Sequence, residues 1–280
     1  MRIAAIGDIH ANHTALTRCL EWIYENNIDG MVFLGDYVTD CPYPQKTVDI
    51  LRNIPPRYKT WFIKGNREDY LLNYRKDPKG WIYGSKTGNL LYTYENLTSE
   101  ALDWFSQLPD TLEIDIDGCD RIFAIHRPSY YDFLQKEPPL DRLKQTISEM
   151  TAPVMLCAHS HVPLVYEQDG RLIVNSGPLG MPNQRITDAR FAVLEYTDRW
   201  QAEIISLPYD TEALLAEFEE SGLIEKANFW AKGVREILKT GYEYSVECLD
   251  ELHRLLKIYP DKTEFDEDMW EMAAKNIGLI

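Results

Sequence analysis

The chain has 280 residues, 45% of them apolar and 26% charged, which is enough apolar content to bury a full core and excludes a disordered segment. Its 29 basic and 45 acidic side chains leave a net charge of −16, a surface that repels a nucleic-acid duplex, so duplex binding and a nuclease role are disfavoured. No apolar run approaches the roughly 20 residues of a membrane helix, and five scattered cysteines without a C-x-x-C pair suggest neither a disulfide framework nor a thiolate zinc site. With the first apolar run interrupted at Gly7-Asp8, too soon for a secretory signal, the chain reads as cytoplasmic and free of the membrane.

In chain order, Arg2 to Ile6 reads as a strand, and Leu16, Cys19, Leu20 and Ile23 recur at helical spacing after it. Gly30 to Leu34 gives a second strand, Pro44 to Ile54 a second helix opened by its proline, and Lys59 to Lys64 a third strand. Strands alternating with helices imply parallel pairing and right-handed crossovers. From Asp77 to Asn96 four glycines and prolines and a run of aromatics (Trp81, Tyr83, Tyr92, Tyr94) break the rhythm, which reads as an inserted loop or short-helix excursion. Its aromatics suit packing better than stacking on a nucleoside base. Thr98 or Ser99 then caps a helix that stops at Pro109.

Beyond Pro109 the pattern becomes hairpins: Leu112 to Ile116 with Arg121 to Ile125 around Asp117-Gly118, and Leu164 to Tyr166 with Leu172 to Val174 around Asp169-Gly170. A last pair, Phe191 to Tyr196 and Ala202 to Ile205, turns at Asp198-Arg199. The expected class is α/β (α+β), two mixed sheets packed on each other with helices outside, over residues 1–206. Residues 207–280 read as an appended helical subdomain of four segments, with Val246, Leu249, Leu252 and Leu256 as its apolar stripe. That tail holds 17 acidic and 8 basic side chains. A solvated face, a cap over the active site and a contact with a second copy of the chain are the roles open to it, so homo-oligomerisation stays open.

The residues with chemistry sit at strand ends, off the periodic faces. Asp8-x-His10 follows the first strand, Gly35-Asp36 the second and Gly65-Asn66 the third. His126 follows a hairpin strand, and His159-x-His161 follows the strand Pro153 to Ala158. Open α/β sheets place their sites at this carboxyl edge. Two carboxylates, one amide and four imidazoles suit Mn, Fe, Zn or Ni and are too many for one tetrahedral ion, so two divalent ions are the natural count. Two such ions can hold a phosphate, turn water into hydroxide and balance charge in an in-line displacement.

This order of motifs resembles the calcineurin-like metallophosphoesterase superfamily, in which D-x-H, G-D, G-N-H-[DE], a lone His and G-H-x-H follow one another. Gly7-Asp8-Ile9-His10-Ala11-Asn12 and Asn175-Ser176-Gly177-Pro178-Leu179-Gly180 are similar to its small bacterial phosphodiesterase branch, and the likeness runs from residue 3 to about 206. The resemblance implies a four-layer αββα sandwich. It also implies that Asp8, His10 and His161 hold one metal, Asn66, His126 and His159 the other, and Asp36 bridges them. The activity implied is hydrolysis of a small phosphorylated substrate, a phosphodiester or nucleotide-type phosphate, by metal-activated hydroxide.

Two departures from the family pattern bear on that activity. Arg67 stands where the family carries the histidine of G-N-H-E; an arginine stays charged, so it can clamp phosphate but cannot protonate a leaving group, and good leaving groups are expected to be hydrolysed best. Arg127 follows His126 and adds a second guanidinium beside the expected site. Asp36 and Arg67 are thus the candidate catalytic residues, and Asn12, Arg67 and Arg127 the candidate substrate contacts, with helix N-capping before Ala15 and Leu16 suiting Asn12 equally well. His13 reads as a solvated helix residue before it reads as a replacement general acid, and the Gly177 and Gly180 loop as turn glycines as readily as a phosphate cradle. A binding or scaffold protein that keeps the fold without turnover is the competing class, and the missing histidine is its support.

Overall fold

The computed structural model describes residues 1–129 and 138–280. Its first sheet has the order β10-β9-β1-β2-β3, built from β1 (Arg2–Ile6), β2 (Gly30–Phe33), β3 (Lys59–Phe62), β9 (Ala189–Tyr196) and β10 (Trp200–Leu207). Strands β1, β2 and β3 run parallel, with Ile3 opposite Gly30 and Gly30 opposite Lys59, while β9 returns antiparallel to β1. The crossovers are α1 (His13–Glu25) and α2 (Pro44–Arg52), as the alternating pattern requires. The second sheet has the order β4-β5-β6-β8-β7, from β4 (Thr111–Ile114), β5 (Ile122–Ile125), β6 (Val154–Cys157), β7 (Leu164–Gln168) and β8 (Arg171–Asn175). Here β5, β6 and β8 are parallel, and the outer pairs are antiparallel hairpins.

Side-chain alternation along β1 sorts the layers. Ile3 and Ala5 point between the sheets, where with Val32 and Leu34 they meet Ile122, Ala124, Val154, Leu156 and Val174. Ala4 and Ile6 point the other way, onto Leu16 and Leu20 of α1 and Phe105 of α5 (Ser99–Gln107). The far face of the second sheet, through Met155, Cys157 and Ile173, lies under Leu143 and Ile147 of α6 (Leu140–Glu149). The result is helix, sheet, sheet, helix, the four-layer sandwich expected, with each buried aliphatic side chain worth about 1.5–3 kcal/mol in water-removed surface.

After β10 come four helices: α7 (Thr211–Glu220), α8 (Leu223–Thr240), α9 (Tyr244–Leu256) and α10 (Glu267–Asn276). Helix α8 is broken at Asn228, whose φ of 40° and ψ of −116° are not helical. Leu214, Phe218, Val234 and Leu238 of α7 and α8 bury against Tyr92, which lies on α4 (Gly88–Glu95) inside the aromatic insertion. No Cβ fits at Gly88, since one would lie 1.9 Å from the Lys226 carbonyl oxygen, so α4 and α8 touch backbone to backbone there. Glu217 of α7 accepts from His13 Nε2 and Lys46 Nζ, each at 2.7 Å, which staples the tail to α1 and α2. No helix among the described residues is long and apolar enough to cross a membrane.

Three local readings change. Asn66 does not hang from a strand end but opens α3 (Asn66–Lys76), a helix that buries Glu68 and Leu71 and has no apolar stripe for periodicity to find. Helix α6 is present where no element is expected, although Leu143 and Ile147 stand at i and i+4. On α9 three residues of the expected stripe, Leu249, Leu252 and Leu256, do pack on the core formed with α10, joined by Cys248 and Leu255, but Val246 departs from it and is 47% exposed.

Candidate metal centre

The site is made where the carboxyl ends of β1, β2, β5 and β6 meet. After β1 the chain turns sharply: Asp8 and His10 have φ of 52° each, and Asp36, His159 and His161 have φ of 53°, 71° and 57°. Five non-glycine residues in left-handed backbone cost of order 1–3 kcal/mol each, and such strain persists where surrounding bonds over-determine it. Those bonds are present. Asp8 N–H donates to the Gly35 carbonyl at 3.1 Å, His10 N–H to that of Asp36 at 3.0 Å, and Ala11 N–H to that of Tyr37 at 2.9 Å, zipping the first two loops together. His159 N–H donates to Asp8 Oδ2 at 3.0 Å and ties in the fourth loop.

Two trios of ligand atoms result, Asp8 with His10 and His161, and Asp36 with His126 and His159, each within 4.8 Å of one another. His10 Nε2 and His161 Nε2 face each other at 3.1 Å, and His126 Nε2 lies 3.2 Å from His159 Nδ1 and 3.1 Å from Asn66 Oδ1. Two donors about 2.0–2.1 Å from a shared ion at ordinary coordination angles stand roughly 3 Å apart, so these spacings fit a coordination shell. Asp36 lies between the trios, with Oδ1 3.5 Å from His126 Nε2 and Oδ2 3.9 Å from His10 Nε2. The distal imidazole nitrogens are braced as ligands require: His10 Nδ1 bonds the Asp40 carboxylate at 2.8 Å and His126 Nδ1 the Leu34 carbonyl at 2.7 Å. The donor set and its bracing fit two divalent ions.

Charge is distributed to match. Burial disfavours ionisation of Asp36, yet facing His126, His10 and Arg67 hold its carboxyl well below the usual carboxylate range. Asp8 is pushed up to about 6 by burial, with Asp36 adding repulsion. Each trio then contains one imidazole of each kind. Against the cost of burial, Asp36 raises His126 to about 9 and Asp40 raises His10. Burial and the neighbouring imidazole lower His159 to about 3, and the same pair of causes lowers His161 well below its ordinary value. The upward shifts of His10 and His126 mark the negative field of Asp36 and Asp40, which dications in the two trios would balance.

Two acidic residues that the sequence does not single out organise this arrangement. Asp40, 1% exposed, accepts from His10, from Thr39 Oγ1 at 2.6 Å, from Asn89 Nδ2 at 2.8 Å and from Trp230 Nε1 of α8 at 2.8 Å. Although burial opposes its ionisation, Arg67 and His10 hold its carboxyl far below the usual range. Glu68, fully buried, accepts the N–H groups of Asp36, Tyr37 and Gly65, each at 2.9 Å, and so fixes the loop that carries Asp36. Burial, with Asp36 nearby, pushes Glu68 up to about 7.

Among the expected substrate contacts, Arg67 reaches the centre: its Nε is 3.9 Å from Asp36 Oδ2 and its Nη2 3.8 Å from Asp40 Oδ2. Both separations exceed hydrogen-bond length, and Arg67 Nε is buried without a hydrogen-bond partner. Arg127 is exposed, and its charge helps lower His159. Asn12 is buried and caps α1, accepting from Ala15 N–H and donating to the Gly180 carbonyl and Tyr209 Oη. His13 is held by Glu217. The N–H groups of Gly177 and Gly180 are engaged by Asn175 Oδ1 and the Asp8 carbonyl, so that loop braces Asp8. A Cβ on Gly180 would stand 1.7 Å from the Ile9 carbonyl oxygen, which is why glycine is needed there.

Known proteins are similar to this chain in sequence or in fold. An uncharacterised protein of Methanocaldococcus jannaschii is 25% identical over 240 residues, 80% of this chain and 94% of its own. A hypothetical protein of Pyrococcus horikoshii superposes with a TM-score of 0.72 at 22% identity, over 86% of this chain and 99% of that one. A metallophosphoesterase of Sphaerobacter thermophilus does so with a TM-score of 0.64, at the same identity and the same coverage. That coverage is more than residues 1–206 alone supply, so the shared fold extends into the C-terminal helices. Residues 1–199, which contain every ligand of both trios, match the model of the calcineurin-like phosphoesterase superfamily domain, and the chain belongs to that superfamily.

Proposed function

We propose that the protein is a dimetal phosphoesterase acting on a phosphodiester or nucleotide-type phosphate, with the two divalent ions (Mn, Fe, Zn or Ni) held by the two trios. Asp8, His10 and His161 would hold one ion and Asn66, His126 and His159 the other, with Asp36 shared. The observation that carries this is Asp36, whose two carboxylate oxygens face different trios. When bound, the ions supply Lewis acidity toward phosphoryl oxygen and a water nucleophile at neutral pH.

The chain's own residues do the rest. Asp40 holds His10 in one tautomer and orientation, and the Leu34 carbonyl does the same for His126. Arg67 keeps its proton, because Asp40 and Asp36 outweigh the cost of its burial. Its buried Nε is a donor in need of an acceptor. A phosphoryl oxygen is the acceptor that site chemistry offers, and a preorganised charge in a water-poor cleft favours the transition state more than it would in water. Since Arg67 cannot protonate a leaving group, esters of acidic alcohols are the substrates hydrolysed fastest. Residues 1–206 form the catalytic domain in this reading and 207–280 its helical extension, in a cytoplasmic protein.

Reloading with Mn²⁺ and comparing bis-p-nitrophenyl phosphate with p-nitrophenyl phosphate tests it. The diester is expected to be the better substrate, and Asp36→Asn is expected to lose both bound metal and turnover. Normal turnover in Asp36→Asn overturns the assignment, and bound metal without hydrolysis of either ester moves it to the binding-protein class.

A further inference from the structure

A small cleft opens directly off the metal centre, and its far wall belongs to the C-terminal helices. His10, His161 and Arg67 form its floor, while Trp230 and Ile237 of α8 and Val246 of α9 form its wall, with Met181 beside them. Val246 is 47% exposed although α9 is otherwise packed by its Cys248 and Leu252 face, so the valine presents its methyl groups to the cleft and not to the core. We propose that this wall is a binding subsite for a compact, uncharged, apolar ester group on the phosphate, and that α8 and α9 therefore set substrate specificity.

The inference rests on the phosphoesterase reading for one point only, the position of the phosphate. Phosphoryl oxygens drawn to Arg67 and to the two trios leave one ester oxygen directed to the cleft that shares His10 and His161 with the first trio. Its walls select against charge. The side chains of Trp230, Ile237, Val246, Met181 and Pro182 offer an anion no donor except the indole N–H already given to Asp40, so a second phosphate or a carboxylate directed at this wall loses its hydration without compensation. Size is limited as well. The cleft covers about 70 Å³ beside the metal centre, roughly half of the about 150 Å³ that encloses a benzene ring, so about three carbons of an ester group are sheltered by this wall and any longer part extends into solvent.

Calorimetric titration of the Mn²⁺-loaded full chain with methylphosphonate, n-propylphosphonate and phosphonoacetate reads the subsite without any turnover. Two further buried methylenes are expected to tighten binding about tenfold for propyl over methyl, and phosphonoacetate is expected to bind more weakly than propylphosphonate. Val246→Phe, which fills the cleft from an exposed position, is expected to bring the propyl-to-methyl ratio close to one, and Val246→Ser to lower it part of the way. Equal affinities for methyl- and propylphosphonate in the unmodified protein overturn the subsite, as does a ratio that neither Val246 variant alters, or tighter binding of phosphonoacetate than of propylphosphonate. Should the affinity ladder hold while neither p-nitrophenyl ester is hydrolysed, the hydrolytic reading fails and the subsite stands.

Discussion

The floor and the wall of the cleft are built on opposite principles. The floor consists of imidazoles on tight loops in left-handed backbone, His10 braced by Asp40, beside the Arg67 guanidinium at the start of α3. The wall consists of apolar side chains on helices, where Trp230 Nε1 is the polar link to the floor through Asp40. Rigid loop geometry fixes where charge stands, and helix packing fixes what shape is admitted. The contrast teaches that chemistry and selectivity here come from separate parts of the chain and can be perturbed separately.

Acidity acts on the metal centre, to which the floor belongs, and gives the largest effect. The folded protein raises His126 to about 9 from an ordinary 6.5, so protons compete with a metal ion throughout that range. Metal affinity is expected to rise about tenfold per pH unit from pH 7 to 9, measured by chelator competition. The metal-free protein goes the other way. A raised histidine contributes stability that is complete below pH 6.5 and is lost as pH climbs through about 9, so the melting temperature of the metal-free form falls over the interval in which metal affinity grows. Melting temperatures that rise together with affinity contradict this assignment of charge.

Asp40→Asn is next. It preserves shape but removes the carboxylate that orients His10, and metal affinity is expected to fall about 10–100-fold, as for other partners of metal-bound histidines. Trp230→Phe is the smallest and tests the separation of floor from wall. The substitution keeps an aromatic ring in place and deletes one hydrogen bond to a charged group, about 1.5–3 kcal/mol of stability, with metal affinity changed less than tenfold. If calorimetry shows Trp230→Phe weakening metal as much as Asp40→Asn does, floor and wall are one unit.

The same contrast explains what was legible in the amino-acid order. Asp8, His10, Asp36, His126, His159 and His161 stand out because hard ligands at strand ends have no place in a periodic core, and structure collects all six into two trios. Asp40 has no such mark: Thr39-Asp40 reads as ordinary loop polarity until folding brings Asn89 and Trp230 to it. Glu68 lies in a recognisable run, but its three bonds are to backbone N–H groups, which no side-chain pattern reveals. Layer order followed from period, whereas α3 escaped because it buries a carboxylate and a single leucine. Val246 reads as one stripe with Leu249, Leu252 and Leu256, since spacing alone does not tell a residue that faces the core from one that faces the cleft.

The bond between Asp40 and Trp230 also bears on biosynthesis. His10 is among the first residues made, yet the carboxylate that orients it acquires its last donor only after the ribosome has passed α8. Domains fold largely in the order in which they emerge, and contacts distant in sequence close late. The nascent chain can therefore complete its sheets while His10 still lacks its finished support.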